Sequence, residues 1–253
     1  MPAIERVILI TGAASGIGAA TVRAVAQDGV ALLLHTRANR AGLDAVADAA
    51  GDAGAAVATE FGDLADKGVA SRLVQRACGR FGRLDQIVSN AGFADRREFG
   101  DVDGAALRQS LAAITEAFFA LVSAALPQLQ QSNWGRVVAV SSFVAHDFGI
   151  DNTIFPVTAA AKAGLEGLAK SLAFQLAATG TTVNCVSPGY TRKDSGAHAA
   201  VASDGWQRAA EAAPMKTLVA PDDVGAAIAF LLGRDAGRIT GQILKVDAGL
   251  SLL

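Results

Sequence analysis

The sequence predicts an α/β fold: one doubly wound parallel sheet of about seven strands with helices on both faces. Three observations carry this reading. Short continuous apolar runs recur along the chain, each of strand length and nearly free of polar alternation, as in strands covered on both faces. Helix-length segments separate them, and strand alternating with helix implies parallel pairing through right-handed crossovers. The first run leads straight into a glycine cluster.

Taken in order, the first strand is "RVILI" (6–10), followed by a helix over 16–27 that opens on glycines. The second is "VALLL" (30–34), with a helix over 40–50 behind it. "AAVATE" (55–60) is the third strand, and the segment 67–81 returns as a helix. "LDQIVS" (84–89) is the fourth, followed by a long apolar helix over 103–130. "RVVAV" (136–140) precedes an alanine-rich helix over 158–178. "TVNCVS" (182–187) and "QILKV" (242–246) complete the sheet. Residues 193–217 are expected to cover the ligand site, with Trp206 and Met215 as contacts or as packing of a surface helix.

Composition bounds the function. A chain of 253 residues allows one large domain or two small ones, and the absence of any linker-like break favours a single unit over 1–253. The formal net charge of −2 offers no basic field for nucleic acid. Cys78 and Cys185 are too far apart for a ligand pair, so no metal site is expected and a reducing, cytoplasmic setting is the default. The amino-terminal apolar run is too short for a signal peptide, and no run reaches the roughly 18 apolar residues of a membrane span. The expected partner is a small molecule.

Doubly wound sheets bind ligands beyond the carboxyl ends of their strands, so the residues there matter most. After the first strand, "TGAASGIG" (11–18) places Gly12, Gly16 and Gly18 where a tight turn opens a helix. Glycine there lets phosphate approach backbone amides at a helix amino terminus. After the second strand, "HTRANR" (35–40) holds no carboxylate to take up ribose hydroxyls. Thr36 occupies the place where an acid would select NAD, flanked by Arg37 and Arg40, so NADP is the expected cofactor and NAD the alternative. The arginines read equally as solvated helix-start residues. Asp63 follows the third strand as a candidate for the adenine edge, while Asp66 suits a helix cap. "SNAG" (89–92), "SSFVAHDFG" (141–149) and "SPGYTRKD" (187–194) follow the fourth, fifth and sixth strands.

These pieces, in this order and over nearly the whole chain, resemble the classical short-chain dehydrogenase/reductase family. The carboxyl end "ITGQILKVDAGLSLL" is similar to its last strand and oligomer-forming tail. The resemblance implies a Rossmann-like fold, a nicotinamide cofactor, hydride transfer at a carbon bearing oxygen, and a homodimer or homotetramer. It implies cofactor contacts from Thr11, Gly12, Ser15, Gly16, Ile17 and Gly18, and from Arg37, Asp63 and Leu64. It further implies contacts from Asn90, Ala91 and Gly92, from Lys162, and from Pro188, Gly189 and Thr191. Ser142 matches the serine that hydrogen-bonds the substrate oxygen. Lys162 matches the lysine that binds the nicotinamide ribose and lowers a tyrosine pKa.

Two positions depart from the family. The tyrosine four residues before the lysine is Thr158, and the asparagine of the long helix is Ile114. An aliphatic hydroxyl is a far weaker acid than a phenol, and positioned acid–base catalysis contributes typically ~10²–10⁴-fold. Cofactor binding is therefore expected to be more secure than turnover. His146, with Asp147 beside it, and Tyr190, the sole tyrosine, are the candidate replacement acids, as is a water relay to Lys162. The readings that follow are an oxidoreductase with an altered proton relay, or a noncatalytic nucleotide-binding protein.

Overall fold

The computed structural model describes residues 3–150, 153–192 and 203–252. The strands are β1 (Arg6–Thr11), β2 (Val30–Thr36), β3 (Ala56–Phe61), β4 (Gln86–Ser89), β5 (Arg136–Val140), β6 (Thr182–Pro188) and β7 (Ile243–Val246). The helices are α1 (Gly16–Val25), α2 (Arg40–Asp52), α3 (Val69–Phe81), α4 (Gly104–Ser110), α5 (Ala117–Gln131), α6 (Pro156–Leu176), α7 (Ser203–Ala212) and α8 (Pro221–Leu232). All seven strands form one sheet in the order β3-β2-β1-β4-β5-β6-β7, and each pairing is parallel. This is the Rossmann-like arrangement that the run pattern predicts.

Side chains alternate across a strand, and β1 uses both faces. Val7 and Leu9 pack with Leu73, Phe118 and Leu165 on one side. Ile8 and Ile10 pack with Val22, Leu43 and Ile228 on the other. β1 to β6 match the predicted runs closely, while β3 and β7, at the sheet edges, are only partly covered. The chain moves outward from β1 to β3 and then returns to β4 on the opposite side of β1. That reversal opens a crevice at the carboxyl ends of β1 and β4. At the other end of the sheet, buried Asp85 ties β1 to β4 and β5. It accepts from Val7 N at 2.9 Å, Arg83 Nη2 at 2.7 Å and Ser132 Oγ at 2.6 Å.

Helix boundaries follow local chemistry. Asn39 accepts from Gly42 N at 3.1 Å and starts α2. Asp103 accepts from Ala106 N at 2.8 Å and starts α4. Pro156 opens α6, where a missing N–H costs nothing. The long helix predicted over 103–130 is interrupted by a π-helical turn, Leu111–Glu116. The stretch Gly104–Gln131 is long and apolar enough to cross a membrane by length and composition, but Phe118, Leu121, Ala125 and Leu129 are buried against the sheet. The surface helix read within 193–217 corresponds to α7, while the sequence reading did not single out α8. Asp222 and Asp223 in the first turn of α8, after Pro221, are the signal it passed over. Of the segment expected to cover the site, residues 193–202 lie outside the described residues.

Candidate active site

A cavity of about 590 Å³ lies over the carboxyl ends of β1, β2, β4, β5 and β6. Its first wall is the turn between β1 and α1. Gly12 and Gly16 have positive φ, 66° and 53°, a region where a side chain is strained. A Cβ on Gly12 would lie 2.8 Å from Asn90 Nδ2, and one on Gly18 would collide with Gly12 O and the same amide. Ser15, Gly16 and Ile17 line the cavity, so α1 directs the positive end of its dipole there. Such a cradle fits a pyrophosphate.

Thr11 and Gly18 do not line the cavity. Thr11 is fully buried, and its Oγ1 accepts from Asn90 N at 3.0 Å and Ala91 N at 3.1 Å. Asn90 Nδ2 in turn donates to Thr11 O and Gly12 O, both at 3.0 Å. The two residues clamp the ends of β1 and β4 together and so hold Gly12, Asn90, Ala91 and Gly92, which do line the cavity.

At the β2 end, Arg37, Asp63 and Leu64 line the cavity with His35, Thr36 and Asn39. Arg37 Nη1 is 3.6 Å from Asp63 Oδ2, and the arginine side chain is 68% exposed. Arg40 is elsewhere, its guanidinium stacked 3.9 Å over the Phe61 ring. His35 escaped the sequence reading. Burial pushes its imidazole below the ordinary value, and Nε2 lies 2.9 Å from Gly62 O. It lines the cavity beside Thr36.

The floor of the cavity is α6. Thr158 and Lys162 lie one turn apart on the same face, and both line the cavity. Lys162 Nζ donates to Val140 O at 2.6 Å. Burial lowers its ammonium from 10.5 to about 8, opposed by Cys185 and Glu166. Pro188, Gly189 and Thr191 form the wall beyond β6. Ser142 lines the cavity beside Ser141, and its Oγ accepts from Val144 N at 3.4 Å.

The proton-handling positions differ from the rest. Thr158 is buried, and its hydroxyl is engaged by the backbone of Asp95: Oγ1 accepts from Asp95 N at 2.9 Å. It pins the loop after β4. Ile114, also buried, sits in the π-helical turn. A Cβ on Gly92 would lie 3.6 Å from both Ile114 Cγ1 and Lys162 Nζ, so both side chains border Gly92. Tyr190 does not line the cavity. Its ring packs 4.7 Å from Phe143 and its hydroxyl donates to Ile150 O at 3.3 Å.

The placement of His146 corrects the expectation that it faces the substrate side. It does not line the cavity. It lies behind the wall, with Nε2 2.9 Å from Glu166, because the short helix Phe143–Ala145 carries the chain past Ser142 before His146. Trp206 and Met215 also stay off the cavity. Glu166 was missed, although a carboxylate one turn after Lys162 on an apolar helix was visible in the sequence.

The family model described as enoyl-(acyl carrier protein) reductase matches residues 12–251. A cis-4-hydroxycyclohexanecarboxylate dehydrogenase from Sinomonas cyclohexanicum is 36% identical over 97% of this chain and 96% of its own length. The chain belongs to the short-chain dehydrogenase/reductase family. A 3-oxoacyl-[acyl-carrier-protein] reductase from Haemophilus influenzae is 30% identical over 98% of each chain. A short-chain dehydrogenase/reductase from Serratia marcescens superposes with a TM-score of 0.90 at 27% identity, covering 99% of this chain and 100% of its own. A family member from Burkholderia cenocepacia, solved in complex with NADP, superposes with a TM-score of 0.87 at 29% identity, covering 97% of this chain and 98% of its own. As a member of this family the chain is an oxidoreductase of alcohol and carbonyl substrates.

Proposed function

We propose that the chain is an NADP-preferring oxidoreductase that interconverts a secondary alcohol and its ketone through an altered proton relay. The observation that carries this reading is Lys162, a buried ammonium in the floor of a glycine-walled cavity, where it would meet a ribose. A bound nicotinamide dinucleotide supplies or accepts the hydride. The turn from Gly12 to Gly18, held by Thr11 and Asn90, grips the pyrophosphate, Asp63 and Leu64 border the adenine, and Pro188, Gly189 and Thr191 border the nicotinamide. Arg37 meets the 2′-phosphate, and the lack of a carboxylate on His35 or Thr36 favours NADP over NAD. Ser142 donates to the substrate oxygen. Thr158, whose hydroxyl is taken up by Asp95, anchors the neighbouring loop and is no proton donor. The relative that oxidises a hydroxycyclohexanecarboxylate suggests a cyclic secondary alcohol as the first substrate to try.

The test is a fluorescence titration with NADPH and NADH. Hydride transfer is then followed at 340 nm with 4-oxocyclohexanecarboxylate, acetoacetyl-CoA and cis-4-hydroxycyclohexanecarboxylate. Saturable NADPH binding with turnover supports the reading; no saturable signal from either nucleotide removes it. Thr158 and Ile114 favour one second reading, a noncatalytic NADP-binding protein, in which binding persists without turnover on the whole panel. We further propose a homo-oligomer, supported by Phe119 on α5 and Phe174 on α6, which are 57% and 89% exposed, and a cytoplasmic setting, supported by the free thiols of Cys78 and Cys185. Sedimentation measures the oligomeric state.

A further inference from the structure

We propose that Ser141, Glu166 and His146 form a proton conduit from the cavity to solvent, carrying the proton transfer that Thr158 and Ile114 cannot; this rests on the oxidoreductase reading above. Ser141 follows β5 and lines the cavity, and its Oγ donates to Glu166 Oε1 at 2.5 Å. Glu166 stands one turn beyond Lys162 on α6. His146 Nε2 lies 2.9 Å from each Glu166 oxygen. Exposure rises along the string: Ser141 is 3% and Glu166 5% exposed, while the His146 side chain is 30% exposed. The string thus begins at the cavity wall and ends where an imidazole exchanges with water.

A buried carboxylate is costly unless it is fully engaged. Among the described residues, Glu166 has no arginine or lysine in salt-bridge contact. Its hydrogen-bond partners are a hydroxyl and an imidazole, both able to pass protons. An apolar residue would fill the same place on α6 at lower cost. The other charged or titratable groups around it are Lys162 on its own helix and Cys185 on β6. Lys170, one turn further along α6, acts on Cys185 from the same side. Beside His146, Asp147 Oδ2 lies 3.6 Å from Lys245 Nζ of β7.

In the reducing direction the carbonyl carbon gains a hydride and its oxygen gains one proton. With Glu166 in its acid form, Ser141 Oγ turns its hydrogen from Glu166 to the substrate oxygen, gives it up and takes one from Glu166. Glu166 recovers one from His146, and His146 takes one from water, leaving hydroxide. The oxidising direction runs the same bonds in reverse, and no other reactant is needed.

The experiment compares wild type with His146→Gln, His146→Ala, Glu166→Gln and Ser141→Ala, using NADPH and 4-oxocyclohexanecarboxylate. Glutamine at 146 keeps an N–H donor for Glu166 but cannot shuttle a proton, so it separates conduction from positioning. The expected result is a 10- to 100-fold loss of kcat in each variant with the NADPH Kd within twofold of wild type, and saturable rescue of His146→Ala by free imidazole. Wild-type kcat in His146→Gln, or no rescue by imidazole, would overturn the conduit. A second readout needs no turnover: nitrogen-15 NMR of cofactor-free protein at fixed pH, in which the His146 ring-nitrogen signals are expected to shift in Glu166→Gln and Ser141→Ala. Unchanged signals in both would break the string. If wild type binds NADPH but reduces nothing on the panel, the oxidoreductase reading fails, while the NMR signals still decide whether the three residues are linked.

Discussion

Replacing Lys162 by methionine separates what the buried cation costs the empty protein from what it does for a ligand. Burial lowers its ammonium from 10.5 to about 8. At about 1.36 kcal/mol per unit, the charged lysine costs the folded state about 3 kcal/mol at neutral pH. The sign follows from proton counts. Between about 8 and 10.5, the unfolded chain still binds a proton that the folded chain has released, so this residue's contribution to stability rises with pH across that window. Methionine keeps most of the stem and removes the charge, but it leaves Val140 O without its donor, a loss of about 1–3 kcal/mol. At pH 7 the two effects offset, and the variant should lie within about 2 kcal/mol of wild type. The discriminating quantity is how that gap moves: the variant should lose about 2–3 kcal/mol relative to wild type between pH 7 and pH 10. Urea unfolding of both proteins without cofactor, followed by tryptophan fluorescence at each pH, measures it. A gap that stays constant with pH would refute the claim that Lys162 is held charged against desolvation. The same variant should lose most of its NADPH affinity.

Other expectations follow from the walls of the site. Gly18→Ala places a methyl against Gly12 O and the Asn90 amide; thermal unfolding should report a loss of about 1–3 kcal/mol and fluorescence titration a loss of NADPH binding. Arg37→Ala should weaken NADPH about tenfold, the low end for a charge-assisted contact because the arginine is exposed, and leave NADH unchanged; equal weakening of both would assign Arg37 no phosphate. Asp63→Asn frees Arg37 from its 3.6 Å partner and should tighten NADPH several-fold in the same titration. Asp85→Ala strands Arg83, Ser132 and Val7 N, and denaturant unfolding should show about 3–5 kcal/mol of destabilisation.

The sheet was legible because strands buried on both faces must be continuously apolar, as in Val30–Thr36 and Arg136–Val140. The glycine turn was legible for a related reason: positive φ at Gly12 and the close approach of Asn90 leave no room for a side chain. What escaped depends on side-chain direction. Nothing in the linear order says that the helix Phe143–Ala145 carries His146 away from the cavity, or that Arg40 turns onto Phe61 while Arg37 stays at the rim. The π-helical turn at Leu111–Glu116 was equally hidden, since one extra residue per turn leaves no mark in apolar spacing over so short a stretch. Thr158 was visible as a departure, but its service to Asp95 required the loop after β4 to be in place.

That service bears on whether the missing phenol can be restored. Tyrosine at 158 would regain an acid that a nearby ammonium could bring toward neutrality, a change that acid–base catalysis converts into ~10²–10⁴-fold in rate. It would also remove the hydroxyl that holds Asp95 N, in a position only 2% exposed, where a larger ring must displace the loop or enter the cavity. The proposed binding and proton-delivery roles fall on different residues: the cavity-lining Gly12, Gly16 and Lys162 on one side, and Thr158, which holds Asp95 N, on the other. Thr158→Tyr should therefore leave NADPH affinity within a few-fold of wild type while changing kcat. If Ser141, Glu166 and His146 already deliver the proton, the added phenol yields far less than its full factor, and Glu166→Gln stops being damaging in the Thr158→Tyr background. A Thr158→Tyr protein that gains the full factor and keeps the same sensitivity to Glu166→Gln would mean that the two routes do not compete, and that the buried carboxylate serves only the packing of α6.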